Sequence, residues 1–131
     1  VAEPADATGA AGPIEAISAV TLACSDMAAS VSFYEALGFV TAMGGPDAPF
    51  TTFRAGAAFL NLQFDPAHAP VDRIWGRAIF WVDDVDAVHA RAVDAGLEPD
   101  APPADAPWGE RFFHVRDPDG HELSFARPIG R

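Results

Sequence analysis

Four side chains near the C-terminal end have the types and spacing to do chemistry together: Phe112, His114, Glu122 and Ser124. They alternate with apolar neighbours in two β-prone runs, Arg111 to Arg116 and His121 to Ala126, which flank Asp117-Pro118-Asp119-Gly120. Pro fixes φ and Gly accepts φ > 0, so this spacing predicts a hairpin. A period of two sends Phe113, Val115, Leu123 and Phe125 to a core face and the four chemical side chains to the opposite wall. An imidazole and a carboxylate on one wall can hold or move a proton on a bound molecule, and a flat ring can stack on it. The remaining histidines are placed elsewhere: His68 in a linker, His121 just after the turn glycine, and His89 on the surface of a helix. The sequence suggests no Ser/His/Asp or Cys/His set and no phosphate loop, and its glycines fall at turns.

The elements that position this wall repeat. Ile17 to Cys24 alternates as a half-buried strand, with Val20 and Leu22 on one face and Ala19, Thr21 and Ala23 on the other. Ser25 or Asp26 caps a helix in which Met27, Val31, Tyr34 and Leu37 recur at helical spacing and Gly38 is the stop. Phe39 to Met43, Phe50 to Arg54 and Ala57 to Phe64 read as strands. From Gly76 the order returns: a strand from Arg77 to Asp83, a helix from Asp84 to Ala95 stopped by Gly96, a strand from Leu97 to Ala101, a Pro-rich loop from Asp100 to Pro107, and the hairpin. Asp26 to Gly38 and Asp84 to Gly96 have the same length, so the two halves share one register, which sets Ala19 opposite Arg77. The expected fold is α+β: two tandem βαβββ modules forming a curved mixed sheet around a cavity, with the helices outside. The expected boundaries are a mobile tail at 1–13, a first module at 14–64, a linker at 65–75 and a second module at 76–128, the two modules making one domain at 14–128.

Three motifs carry a family resemblance: Ser30-Val31-Ser32-Phe33-Tyr34-Glu35-Ala36-Leu37-Gly38-Phe39, Phe80-Trp81-Val82-Asp83-Asp84-Val85, and Asp117-Pro118-Asp119-Gly120. Together they resemble the vicinal oxygen chelate superfamily of glyoxalases, extradiol dioxygenases, fosfomycin-resistance enzymes and bleomycin-resistance proteins. They are helix, turn and packing signals, so the resemblance implies the fold and leaves the chemistry open. In that superfamily a divalent metal is held at inward positions that correspond here to Ala19, Asn61, Arg77 and Ser124. Ala has no donor atom, Arg is a permanent cation, and Asn and Ser are weak ligands, so no metal and no cofactor is expected.

The resemblance is strongest to the metal-free bleomycin-resistance branch, which shares the Trp-Gly element before the penultimate strand. It implies a homodimer that sequesters a small molecule. The inner-face positions then read as ligand-binding: Phe50, Thr52, Phe59, Asn61, Gln63, Arg77, Trp81, Phe112, His114, Glu122 and Ser124, accompanied by Arg54 and Ile79. Trp75 and Trp108, at strand mouths, read as lids or interface anchors. The alternative is a lyase or isomerase of the glyoxalase type, or a dioxygenase-type enzyme, using an atypical metal site or His114 and Glu122, with Arg77 holding an anionic oxygen. An Arg77–Glu122 salt bridge is the expected fate of that carboxylate.

The chain has 131 residues, half of them hydrophobic, enough for one cored domain. Eight basic against nineteen acidic residues give a net charge of −11. This argues against nucleic acid, which needs a basic surface, and suits a neutral or cationic planar ligand. The apolar runs are short and interrupted, and Val1 to Gly12 lacks the pattern of a secretory signal, so the expected setting is the cytoplasm without membrane contact. A single Cys24 on a strand reads as a small buried hydrophobe.

Overall fold

The computed structural model describes residues 12–130; the tail expected at 1–13 therefore lies almost wholly outside the described residues. The elements are β1 (Ala19–Cys24), α1 (Met27–Leu37), β2 (Thr41–Met43), β3 (Phe50–Ala55), β4 (Ala58–Phe64), β5 (Arg77–Trp81), α2 (Val85–Asp94), β6 (Ala104–Ala106), β7 (Glu110–Arg116) and β8 (Glu122–Pro128). The order is βαβββ twice, and the strands hydrogen-bond as two four-stranded sheets, β1-β4-β3-β2 and β5-β8-β7-β6. In each sheet one parallel pair, β1 with β4 and β5 with β8, joins two antiparallel pairs. β1 and β5 are thus equivalent edge strands.

Both helices are set by the same local chemistry. Asp26 accepts from the Ala29 N–H at 3.1 Å and Asp84 from the Ala87 N–H at 3.0 Å, so each carboxylate satisfies a free donor of a first turn. At the other end Gly38, with φ +107°, donates to Glu35 O while Phe39 N–H reaches Tyr34 O, which satisfies the last carbonyls. α2 buries only Val85 and Ala92 and lies outside. α1 is more enclosed: it buries Met27, Ser30, Val31, Phe33, Tyr34 and Leu37, because the second module's closing turn packs on it as well as its own sheet.

One strand differs from expectation. Leu97 to Ala101 is not a strand; the pairing instead falls on Ala104–Ala106, inside the stretch read as a Pro-rich loop, with Ala104 opposite Phe112 and Ala106 opposite Glu110. Asp100 N–H still reaches His114 O at 3.0 Å, but Pro102 and Pro103 have no N–H and interrupt the pairing, so a continuous ladder runs only after them; β6 is an edge strand, where nearby prolines are tolerated.

A single core spans both modules. Leu22, Phe53, Leu60 and Leu62 join Phe113, Val115, Leu123 and Phe125 in one cluster. Phe39 bridges the halves, its ring 5.9 Å from Phe53, 5.1 Å from Phe80 and 6.1 Å from Phe125.

Polar bonds lock the same junction. Asp119 accepts from the Ser25 N–H at 3.0 Å and the Ser25 hydroxyl at 2.7 Å, and Asp117 accepts the Tyr34 hydroxyl at 2.7 Å. Asp117 also receives the N–H groups of Asp119 and His121, closing its own turn. Burial lifts the Asp117 carboxyl above its usual range, against the hydrogen bonds that favour its charge. Burial and the adjacent Asp117 carboxylate likewise hold the Tyr34 phenol well above its ordinary value.

Because the folded state binds the Asp117 proton more tightly, that contribution to stability is complete below the ordinary carboxylate pKa. It is lost as pH rises through the folded value. Asn at this position stays neutral and can still accept two N–H groups and pair with a hydroxyl. Urea melts between about pH 3 and pH 6 should therefore show Asp117→Asn gaining on the wild type as pH rises. A constant gap between the two would remove Asp117 from the pH response.

Candidate functional site

The edges of β1 and β5 border a cleft of about 780 Å³. Leu37, Phe39, Phe80 and Phe125 form its floor, and Phe59, Ile79 and Trp81 line its sides. Ala19 and Arg77, set opposite each other by the repeat, both line it. This volume lies within the usual range for small-molecule pockets, and the lining is mostly apolar with few polar groups.

Of the residues expected to bind ligand, Phe59, Arg77 and Trp81 line this cleft. Phe50, Thr52, Asn61 and Gln63 continue along the first sheet, where Thr52 pairs with Asn61 and Phe50 with Gln63. Phe112, His114, Glu122 and Ser124 continue along the second, with His114 opposite Ser124 and Arg77 opposite Glu122. The structure therefore divides the expected set between two sheets and gathers three of its members at the junction.

Several of these side chains are already engaged. Asn61 accepts from the Thr52 hydroxyl at 2.8 Å and donates to Thr21 Oγ1 at 3.2 Å, a polar rung across three strands. Glu122, only 6% exposed, accepts from Arg77 Nε, while the Arg77 side chain is 40% exposed. The expected salt bridge is present. His114 Nδ1 is buried without a partner among the described residues, and its ring lies 5.0 Å from Phe112. Trp108 stacks on Phe112 at 6.1 Å and donates through Nε1 to the buried Glu110 at 3.1 Å, so it extends an aromatic row of Trp108, Phe112 and His114.

The donor set does not fit a divalent metal. A guanidinium occupies one mapped position, a methyl group another, and the Asn61 amide oxygen is committed to Thr52. Among the described residues no group of three or more His, Cys, Asp or Glu side chains is placed to hold a metal. The groups with shifted protonation lie elsewhere: Asp86 is lowered by its hydrogen bonds from Arg111, which is itself raised, and besides Tyr34 and Asp117, Cys24 is pushed up to about 11 by burial and then by Asp119, which keeps it an inert thiol. Tyr34, Asp117 and Cys24 lie where the closing turn packs on α1, and none of them lines the cleft.

His121 and His68 lie where the sequence reading put them but make contacts it did not supply, and His89 departs from that reading. His121 is 5% exposed and donates through Nε2 to Ala23 O at 2.8 Å; His68 stacks on it at 5.4 Å, and Trp75 meets it edge-on at 6.3 Å. The linker is thus folded against the closing turn. His89 is half-buried, its ring 5.1 Å from Phe113, and so is not simply a surface residue. Missed altogether was the cleft floor: alternation sends Phe80 and Phe125 to the core, and only the gap between two sheet edges turns them toward a cavity. The charge of the cleft also departs from that of the chain, since Arg54 and Arg77 line it and, among the described residues, no Asp or Glu does.

Residues 16–125 match the family described as the Glyoxalase/Bleomycin resistance protein/Dioxygenase superfamily. The chain belongs to this superfamily. No curated protein matches it. Among solved structures it is similar to a bleomycin-binding protein complexed with bleomycin, at 22% identity and TM-score 0.69, over 87% of this chain and 98% of that one. TioX from Micromonospora sp. ML1 is 27% identical with TM-score 0.68, over 88% and 100% of the two chains. Lactoylglutathione lyase from Agrobacterium tumefaciens is 21% identical with TM-score 0.69, over 88% and 95%. These structures share the fold; one is named for binding and one for catalysis. Among the described residues no helix is long and apolar enough to cross a membrane.

Proposed function

We propose that this chain is a metal-free small-molecule binding protein that sequesters a planar aromatic compound, working as a cytoplasmic homodimer. The observation that carries the reading is the cleft itself: aromatic and apolar walls at the module junction, with the superfamily's metal positions held by Ala19, Asn61, Arg77 and Ser124. The likeness to a bleomycin-binding protein supports the same class of activity. Support for the dimer comes from large apolar side chains left open on the surface, among them Trp81 and Trp108, and from the edges of β1 and β5, which are unpaired among the described residues.

Two measurements test the reading. Trp81→Ala should abolish ligand-induced fluorescence quenching while the fold is retained; unchanged affinity would take Trp81 out of the site. Thermal melts with added Mn²⁺, Fe²⁺, Ni²⁺ and Zn²⁺ should stay flat. A metal bound only to the native state at about a hundred times its dissociation constant would add roughly 2.7 kcal/mol, a shift of several degrees, and would refute the metal-free assignment.

A second reading, catalysis, rests on the unpartnered Nδ1 of His114, one strand from Glu122. Were His114 the proton carrier of a lyase or isomerase, His114→Ala should cost about 10²-fold or more in rate. Undiminished turnover in that variant would end the assignment.

A further inference from the structure

The cleft has the opposite charge to the protein around it. The chain carries −11 overall, yet the charged side chains lining the cleft are Arg54 and Arg77. Screening in physiological salt acts over about 8 Å, so a bound group responds to the nearest charges and not to the total. Arg111 is spent on Asp86 and Asp105, and Arg127 lies 4.0 Å from Asp83. Arg54 has no ion-pair partner among the described residues. Arg77 engages Glu122 through Nε, and its two Nη atoms have no hydrogen-bond partner among the described residues. The Arg77–Glu122 pair is neutral, so Arg54 leaves the cleft with a net positive charge.

The apolar surface is arranged beside these cations. Arg54 lies directly opposite Phe59 in the β3–β4 ladder, and Phe59, Ile79 and Trp81 line the same cleft. A guanidinium offers paired N–H donors that match a carboxylate, and it does so with greatest effect where the rest of the ligand has displaced water.

We propose that the cleft selects an aromatic carboxylate, with its ring system against Phe59, Ile79 and Trp81 and its carboxylate at Arg54, assisted by Arg77. This deepens the small-molecule reading and rests on it; it replaces the cationic ligand that net charge alone suggests.

The test is calorimetric titration of the full chain with three probes of one shape: 2-naphthoate, neutral 2-naphthalenemethanol and 2-naphthylmethylammonium. Naphthoate should bind about tenfold or more tighter than the alcohol, the scale of one charge-assisted hydrogen bond, and the ammonium should bind most weakly. Arg54→Gln, at an exposed position, should erase the anion's advantage and leave the alcohol's affinity in place. If the alcohol or the ammonium matches naphthoate, or if Arg54→Gln keeps the anion's advantage, the anionic assignment is overturned while the small-molecule reading stands. If none of the three binds, the cleft reading falls and the assignment falls with it.

Discussion

Gly120→Ala should lower the melting temperature by about 10 °C or more. Gly120 has φ +87°, and an added Cβ would clash with the Val71 carbonyl oxygen. The position is crowded because the linker crosses the closing turn there: Val71 N–H donates to Asp119 O at 2.7 Å. A left-handed backbone costs a non-glycine residue about 1–3 kcal/mol, and forcing backbone apart in a packed region costs about 1–3 kcal/mol more. Gly56→Ala separates the two effects, since Gly56 also has positive φ, +60°, and a Cβ added there would meet nothing within 4 Å. Thermal melts of both variants decide the matter. Equal losses would show that the linker yields freely and that its packing on the turn adds little.

Arg77→Ala is the second large effect. Glu122 is almost fully buried, and Arg77 is its ion-pair partner among the described residues. Removing the guanidinium strands a carboxylate that water cannot fully reach. Stranding a charge from a fully buried pair costs about 3–5 kcal/mol; because Arg77 is partly exposed, about 2–3 kcal/mol is expected here. The double variant Arg77→Ala/Glu122→Leu should recover most of this, because it removes the charge as well as its partner. Urea unfolding of the two single variants and the double variant supplies the cycle. A double variant as unstable as Arg77→Ala would show that the loss comes from packing of the arginine stem and not from the stranded charge.

The helix signals were legible because each depends on residues a turn apart. Asp26 and Asp84 reach N–H groups three positions on, and Gly38 and Gly96 stop their helices with positive φ. The faces of β7 and β8 were equally legible: Phe113, Val115, Leu123 and Phe125 are buried together, as alternation required. The family resemblance grew from these same local signals. β6 was not legible, because its position depends on which residues across the ladder have a free partner, and two prolines moved it along the chain.

By itself, then, the sequence determined the doubled βαβββ order, the caps and turns, and the core faces. Those are matters of residue type and of contacts within a few positions. Tertiary structure alone decided that Ser25 meets Asp119, that His68 and Trp75 close on His121, and that the expected binding residues divide between two sheets. It also decided the sign of charge in the cleft. Total charge counts every acid on the surface, whereas a bound molecule responds to the few side chains that packing brings beside it, and here those are Arg54 and Arg77.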